Sequence, residues 1–334
     1  MKKFIHFNAR SVEEAQSLLK RFQGRASLIA GGTDLLGIMK DQVLPRYPEA
    51  VINLKTIPGL DFIRTETGEG LTIGALTRLE DVAGHPRIKE RFTALARAAA
   101  RTASPHIRAM GTLAGNLCQD IRCWYYRTPE NRFPCLRKGG GRCYAVDGDN
   151  RYHSIFGGTV EQGCYAVHPS DTAPALTSLQ ARIKTNKRVL PLEDFFEIGV
   201  AKTTALAPDE IVLEIFIPEP EKGCKSAFLK FALRKSIDFP IVNCAAAVTI
   251  RDKKIEQARI CLNAVHVKPY RPKAAEEALQ NKALDEDSAA LAGDLAVVEA
   301  RPLKHNAYMV QITRALVKRT LLACAPGTLV PLDP

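Results

Sequence analysis

One tryptophan and four methionines serve 334 residues, and nowhere do about eighteen apolar residues run together. The missing run excludes a helix that crosses a membrane. The N-terminal stretch MKKFIHFNARSVEEAQ carries two lysines but lacks the apolar core of a secretory signal. A cytoplasmic location is expected, with the nine cysteines kept as thiols and not paired as disulfides. Two nucleotide-binding signatures are also missing. No GxGxxG with a ribose-binding acid occurs, and no GxxxxGK[ST], which disfavours a Rossmann site and a P-loop. There is no internal repeat and no low-complexity segment.

Acidic residues are scarce beside basic ones. Asp and Glu number 36 against 47 Lys and Arg, a formal charge of +11. Nucleic acid is one reading of that excess. The basic residues are dispersed, however, and no zinc-finger or RNA-binding signature appears, although aromatics and arginines interleave over 122–152. No nucleic-acid partner is expected; an anionic cofactor, an anionic metal centre or an acidic partner surface explains the charge. With 46% hydrophobic and 25% charged residues, the chain is globular, and its length suggests two or three domains.

The pattern is mixed α and β. Residues 11–23 start on a serine cap with Glu13 and Glu14 in the first turn, which predicts a helix. Short strands are expected at Ser27–Ala30, Ala50–Leu54 and Gly70–Gly74. Helices follow at Leu79–Val82 and Ile88–Ala103, then a loop at Ile107–Gly115 and a buried helix at Ala173–Leu179. Strands are expected over 181–190, Glu210–Ile217, Ala227–Leu233, Ile241–Arg251 and Ile255–Val265. Helices close the chain near 273–280, 285–298 and 306–322. Lys222–Gly223 is the expected domain boundary. One stretch breaks this regularity. Of 22 aromatics, eight fall between Gln119 and Tyr165, where about three are due at uniform composition. The stretch also holds four cysteines and Gly139-Gly140-Gly141, and it reads as an insertion in a host domain.

Two glycine loops carry chemistry. The first, Ile29-Ala30-Gly31-Gly32-Thr33-Asp34-Leu35, directly follows a strand. Paired glycines let the main chain approach a ligand, and successive N–H groups form a nest for an anion such as a pyrophosphate. The second runs from Ile107 through Gly111-Thr112 to Gly115-Asn116. Two such loops can hold the two ends of a diphosphate, whereas either alone reads as a tight turn. A third element, His168-Pro169-Ser170-Asp171, offers a carboxylate for sugar-like hydroxyls; Asp171 as a plain helix cap is the alternative. His106 and His168 flank these motifs as cofactor contacts or as solvated and packing histidines.

The four cysteines of the insertion, Cys123, Cys135, Cys143 and Cys164, are separated by 12, 8 and 21 residues. None forms a CxxC pair, so a zinc ribbon or bacterial ferredoxin motif is absent. Four thiolates can still complete one S₄ site. An iron–sulfur cluster suits the surroundings: neighbouring glycines offer N–H groups to sulfides, Arg122, Lys138 and Arg142 offset negative charge, and aromatics exclude water. A structural zinc and a set of buried thiols are the rivals. Cys118 adjoins the second glycine loop. Cys224, Cys244, Cys261 and Cys324 lie in periodic apolar segments and read as core.

The order IAGGTDLL, IRxxGTLAGNL, SDxAPAL resembles the FAD-binding subunit of the molybdenum hydroxylases, a family that includes xanthine dehydrogenase, carbon monoxide dehydrogenase and 4-hydroxybenzoyl-CoA reductase. The resemblance spans nearly the whole chain and continues through Phe228–Arg234 and Asp238. It implies an α+β fold: a two-subdomain FAD-binding fold of the vanillyl-alcohol oxidase type (1–57 and 58–222, with the insertion at about 119–165), then a small C-terminal domain of antiparallel sheet plus helices (223–334). It implies FAD held by Ile29, Ala30, Gly31, Gly32, Thr33, Asp34, Leu35, Ile107, Gly111, Thr112, Gly115, Asn116, Cys118, Ser170, Asp171, Ile215 and Lys230, with Lys230 by the flavin ring. The insertion is similar to that of the 4-hydroxybenzoyl-CoA reductase flavoprotein, which implies a [4Fe–4S] cluster on Cys123, Cys135, Cys143 and Cys164. The implied role is electron transfer in a hetero-oligomer with a large molybdopterin-binding subunit, a small subunit with two [2Fe–2S] centres, and an external carrier such as ferredoxin. A xanthine, aldehyde or heterocycle dehydrogenase is the alternative holoenzyme. A self-contained flavin oxidase is the second, disfavoured by the absence of a covalent-flavin histidine motif.

Overall fold

A computed structural model describes residues 1–66, 68–158, 163–199 and 202–325. Three sheets organise the chain. Strands β1 (Ile5–Asn8), β2 (Ala26–Ile29) and β3 (Ala50–Asn53) form a parallel sheet in the order β1-β3-β2. Helix α1 (Val12–Phe22) connects β1 to β2. Ser11 caps it by accepting from the Glu14 N–H at 3.2 Å, and Ala15, Leu19 and Phe22 form its buried stripe. Strands β4 (Ile63–Glu66), β5 (Gly70–Gly74), β6 (Arg182–Thr185), β7 (Val189–Pro191) and β8 (Val212–Pro218) form an antiparallel sheet in the order β4-β5-β8-β6-β7. Its inward residues Leu71, Ile73, Ile183, Ile215 and Ile217 are fully buried, beneath helices that supply Leu79, Phe92, Leu95 and Leu176. Thus 181–190 is a tight hairpin of two strands, not one strand, because Asn186 and Lys187 turn the chain back. Among the described residues no helix is long and apolar enough to span a membrane.

The third sheet is antiparallel, in the order β11-β10-β9, with β9 at Cys224–Phe231, β10 at Val242–Arg251 and β11 at Lys254–Asn263. Central β10 is nearly all apolar because both of its faces are covered. Ala245 packs with Ala94, Ala98 and Ala175. Cys244, Ala246 and Val248 face the other way, into a core with Met309, Val317 and Leu321 of the helix Tyr308–Leu322. Small alanines in this strand let helix backbones approach from both sides. Cys244, Cys261 and Cys324 are buried core residues as read, and Cys224 packs partly buried.

The insertion is closed at its base and clamped at its far side. Arg122 and Val167 exchange two main-chain hydrogen bonds, of 2.9 and 3.1 Å, so its ends are held like a short antiparallel pair. Fully buried Asn306 donates from Nδ2 to the carbonyls of His153 and Ser154, at 2.9 and 3.1 Å, while its Oδ1 accepts from the Leu303 N–H. Phe156 stacks on Tyr270 with ring centroids 4.1 Å apart. Replacing Asn306 with alanine strands buried carbonyls, each costing about 1–3 kcal/mol. We expect Asn306→Ala to lower the unfolding free energy by about 2–4 kcal/mol in chemical denaturation; a loss below about 0.5 kcal/mol would contradict the clamp.

Candidate functional site

A cavity of about 840 Å³ opens between the parallel sheet, the second glycine loop and the base of the insertion, within the range of cofactor sites. Gly31 and Gly32 sit where β2 ends. Gly32 has φ +72°, a left-handed conformation that favours glycine. A Cβ at Gly31 would lie 2.2 Å from the Met110 carbonyl oxygen. At this point the two loops touch backbone to backbone. The second loop is fixed from behind: Leu79 N–H donates to Gly111 O, and Leu113 N–H to Thr77 O, both at 2.9 Å. The stretch expected as a loop contains two short helices, Pro105–Arg108 and Leu113–Leu117, capped by Ser104 and Thr112. Their hydroxyls accept from main-chain N–H groups three residues on, which is the signal that marked the boundary.

Of the residues carried over from the resemblance, Ile29, Ala30, Gly31, Gly32, Thr33, Asp34, Leu35, Ile107, Gly111, Thr112, Gly115, Asn116, Cys118 and Asp171 line this cavity. Three do not. Ile215 is wholly buried in the core of the five-stranded sheet, because its position on β8 turns it inward. Ser170 and Lys230 stand one residue behind the wall. Ser170 Oγ donates to Asn116 Oδ1 at 2.5 Å and accepts from the Ala173 N–H, so Ser170, not Asp171, caps the helix Thr172–Ser178. Lys230 Nζ donates to Asp171 Oδ2 at 2.7 Å, and Asn243 Nδ2 donates to Oδ1 at 2.8 Å. Burial pushes the Asp171 carboxyl up, against the opposing pull of Lys230 and Asn243.

Asn243 went unread in the sequence, although it has a signal. It is an asparagine inside the apolar run IVNCAAAV, as Asn263 is in ICLNAV. Strand register sets Lys230, Asn243 and Asn263 in one row across the third sheet. Asn263 Nδ2 donates to the Ser170 carbonyl at 2.7 Å and lies 3.1 Å from His168 Nδ1. His168 is fully buried, with Nε2 3.3 Å from the Leu117 carbonyl. It is a packing histidine; His106 is exposed.

Asp34 turns away from the anion nest toward the insertion. Its Oδ1 accepts from both terminal nitrogens of Arg122 at 3.0 Å, Arg127 pairs with it at 3.0 Å, and its Oδ2 accepts from the Asp120 N–H at 2.8 Å. Burial alone would raise this carboxyl, but the two guanidiniums outweigh it and hold it below the usual range. Arg122 also lies 4.2 Å over the Phe239 ring, so its charge serves the first glycine loop and not the cysteines. Arg234 and Asp238 do pair, within one exposed loop. The lining from Lys202 to Pro208 carries no sequence motif.

Beyond this wall, Cys123, Cys135, Cys143 and Cys164 line a second, small pocket with Tyr125, Tyr126, Leu136, Arg137, Tyr144 and Ala166. Among the described residues, no three His, Cys, Asp or Glu side chains are gathered tightly enough to hold a single metal ion. Burial pushes the Cys123 thiol up to about 12, opposed by the Tyr126 and Tyr125 N–H groups; Cys135 is raised likewise, opposed by Arg137 and Lys138 N–H groups. Arg137 Nε donates to Cys164 Sγ, and His153 Nε2 lies near Cys123 Sγ, both at 3.2 Å. Lys138 Nζ is buried with no hydrogen-bond partner, 5.5 Å over the Tyr126 ring. The glycine run differs from expectation: Gly139 and Gly140 N–H groups are spent on Leu136 and Cys135 carbonyls, and a Cβ at Gly140 would lie 1.8 Å from Pro134 O.

Burial pushes His168 and His266 down to about 4. Both are neutral in the folded chain, while in the unfolded chain they titrate near 6.5. As pH falls below about 6.5 the unfolded state takes up protons first, so folded stability declines until about pH 4. Urea midpoints should be flat above about pH 7 and fall through this window, by up to about 1.4 kcal/mol per pH unit for each histidine. A pH-independent midpoint there would sink the assignment of both as neutral core groups.

Comparison with known proteins agrees with this geometry. Residues 2–220 match the family described as FAD binding domain in molybdopterin dehydrogenase, and 227–324 match the CO dehydrogenase flavoprotein C-terminal domain. The chain is 34% identical over 331 residues to the aldehyde oxidoreductase FAD-binding subunit PaoB of Escherichia coli, covering 96% of each. It is 30% identical to the nicotinate dehydrogenase FAD-subunit of Eubacterium barkeri, over 78% of this chain and 72% of that one. A carbon monoxide dehydrogenase structure from Hydrogenophaga pseudoflava superposes with a TM-score of 0.76 at 25% identity, over 97% of each chain. The mixed fold with two antiparallel sheets, the two touching glycine loops and these matches agree: the chain belongs to the FAD-binding subunit family of the molybdenum hydroxylases, an oxidoreductase family.

Proposed function

We propose that this chain is the electron-transfer flavoprotein of a hetero-oligomeric molybdenum hydroxylase, carrying FAD in the large cavity and a [4Fe–4S] cluster on Cys123, Cys135, Cys143 and Cys164. The observation that carries the FAD reading is the cavity itself, bounded by both glycine loops and Asp171. The N–H groups of 31–34, with that of Thr112 across the cavity, suit a diphosphate, while those of Gly111 and of 113–116 are engaged within the protein. Asp171, oriented by Lys230 and Asn243, keeps acceptor lone pairs for hydroxyls. FAD supplies the exchange between paired and single electrons, and a cluster supplies single-electron transfer. For the cluster, the carrying observation is the pocket lined by all four cysteines, with Lys138 Nζ buried nearby without a hydrogen-bond partner and close enough to Cys135 and Cys123 to be stabilised by negative charge there.

Substrate chemistry belongs, on this reading, to a large molybdopterin-binding partner, with a small two-[2Fe–2S] subunit between and an acceptor such as ferredoxin outside. Identity to the aldehyde oxidoreductase subunit over 96% of the chain favours an aldehyde substrate. The 4-hydroxybenzoyl-CoA reductase reading rests on the insertion alone.

Native purification should return a yellow-brown complex with both partner subunits and about eight irons per copy of this chain, about four from the cluster on this chain and about four from the small subunit's two [2Fe–2S] centres. Cys135→Ser should lower the iron from about eight to about four per copy and leave FAD bound; a wild type with only about four irons and a zinc per copy would overturn the cluster. Gly31→Ala should force the loops apart at about 1–3 kcal/mol and deplete FAD at least tenfold by absorbance of the purified protein. Unchanged flavin content would overturn the loop assignment.

A further inference from the structure

Tyr126 and Arg137 are the two residues that line both the large cavity and the four-thiol pocket. The partition between the two sites is therefore one side chain thick at this place. Arg137 donates from Nε to Cys164 Sγ at 3.2 Å while facing the large cavity as well. Tyr126 is buried, and its hydroxyl donates to Asp120 Oδ2 at 2.5 Å. Asp120 in turn donates its N–H to Asp34 of the first glycine loop at 2.8 Å. The partition thus hangs from the cofactor loop on one side and from a thiol on the other.

Resting on the cofactor reading above, we infer that Arg137 is a shared positioning residue, whose one positive charge sets the reduction potentials of the flavin and the cluster together. Each group gains negative charge, or sheds less of it, when reduced. A guanidinium fixed between them stabilises both reduced states. Its Coulomb interaction with either site acts through protein and not through water, so it is weakly screened. An arginine is suited to this, since it stays charged when half-buried. Tyr126 keeps water out of the gap, and its phenol, raised by burial and by the Asp120 carboxylate, stays neutral.

The test is a spectroelectrochemical titration of the purified complex, reading flavin by absorbance and the cluster by electron paramagnetic resonance. Arg137→Gln should shift both midpoint potentials downward, and Arg137→Lys should restore both, with FAD content unchanged. An arginine that merely braces the insertion would lower cluster occupancy and leave the flavin potential where it was. If Arg137→Gln loses this chain's cluster, the Cys135→Ser background, which lacks the same cluster, decides: there the flavin potential must still fall when Arg137→Gln is added. A flavin potential that does not move in either background overturns the shared role while leaving the cofactor assignment standing. A wild-type complex with no iron beyond the small subunit's [2Fe–2S] centres overturns the cluster reading itself.

Discussion

The contact between Gly31 and the Met110 carbonyl governs the geometry of this molecule. One loop ends a strand of the parallel sheet; the other is hydrogen-bonded to the β5 end of the antiparallel sheet. At Gly31 even a Cβ does not fit. The separation of the two lobes is thereby set by backbone against backbone, the least compressible contact a protein has. The cavity is what remains open on either side of it. Asp34, three residues on, then ties the same loop to Arg122 and Arg127, so the insertion inherits its position from that contact.

The C-terminal sheet takes part in the site as well. Lys230, Asn243 and Asn263 cross it as a polar row in an otherwise apolar surface. They meet Asp171, Ser170 and His168 on the segment that ends the FAD-binding region. A buried polar network of this kind tolerates little displacement, since each unmatched group costs a desolvation penalty. It explains why the SD segment, without regular structure up to Asp171, is as buried as the helix that follows.

Much of this was legible in the sequence, for local reasons. Ser11 with Glu13 and Glu14 marked a helix, paired glycines marked the ends of strands, and the apolar stretch of β10 marked a strand. What escaped was set by long-range packing. Strands β1 and β4 are short and largely exposed or polar, and owe their existence to pairing with β3 and β5. Ile215 carried the right hydrophobicity for a cavity wall, but its parity along β8 points it into the core. Arg122 was read with the cysteines it adjoins, yet its partner Asp34 is 88 residues away. Cysteine spacing identified the four thiols that share a pocket, because no other segment concentrates cysteines with aromatics.

The clamp at Asn306 bears on how the protein is made. Its side chain holds His153 and Ser154 across separations of 153 and 152 residues. During synthesis, the cysteine-bearing segment leaves the ribosome long before the asparagine that fixes it. The insertion therefore gains its final fixing only when the segment that precedes the helix Tyr308–Leu322 has been made.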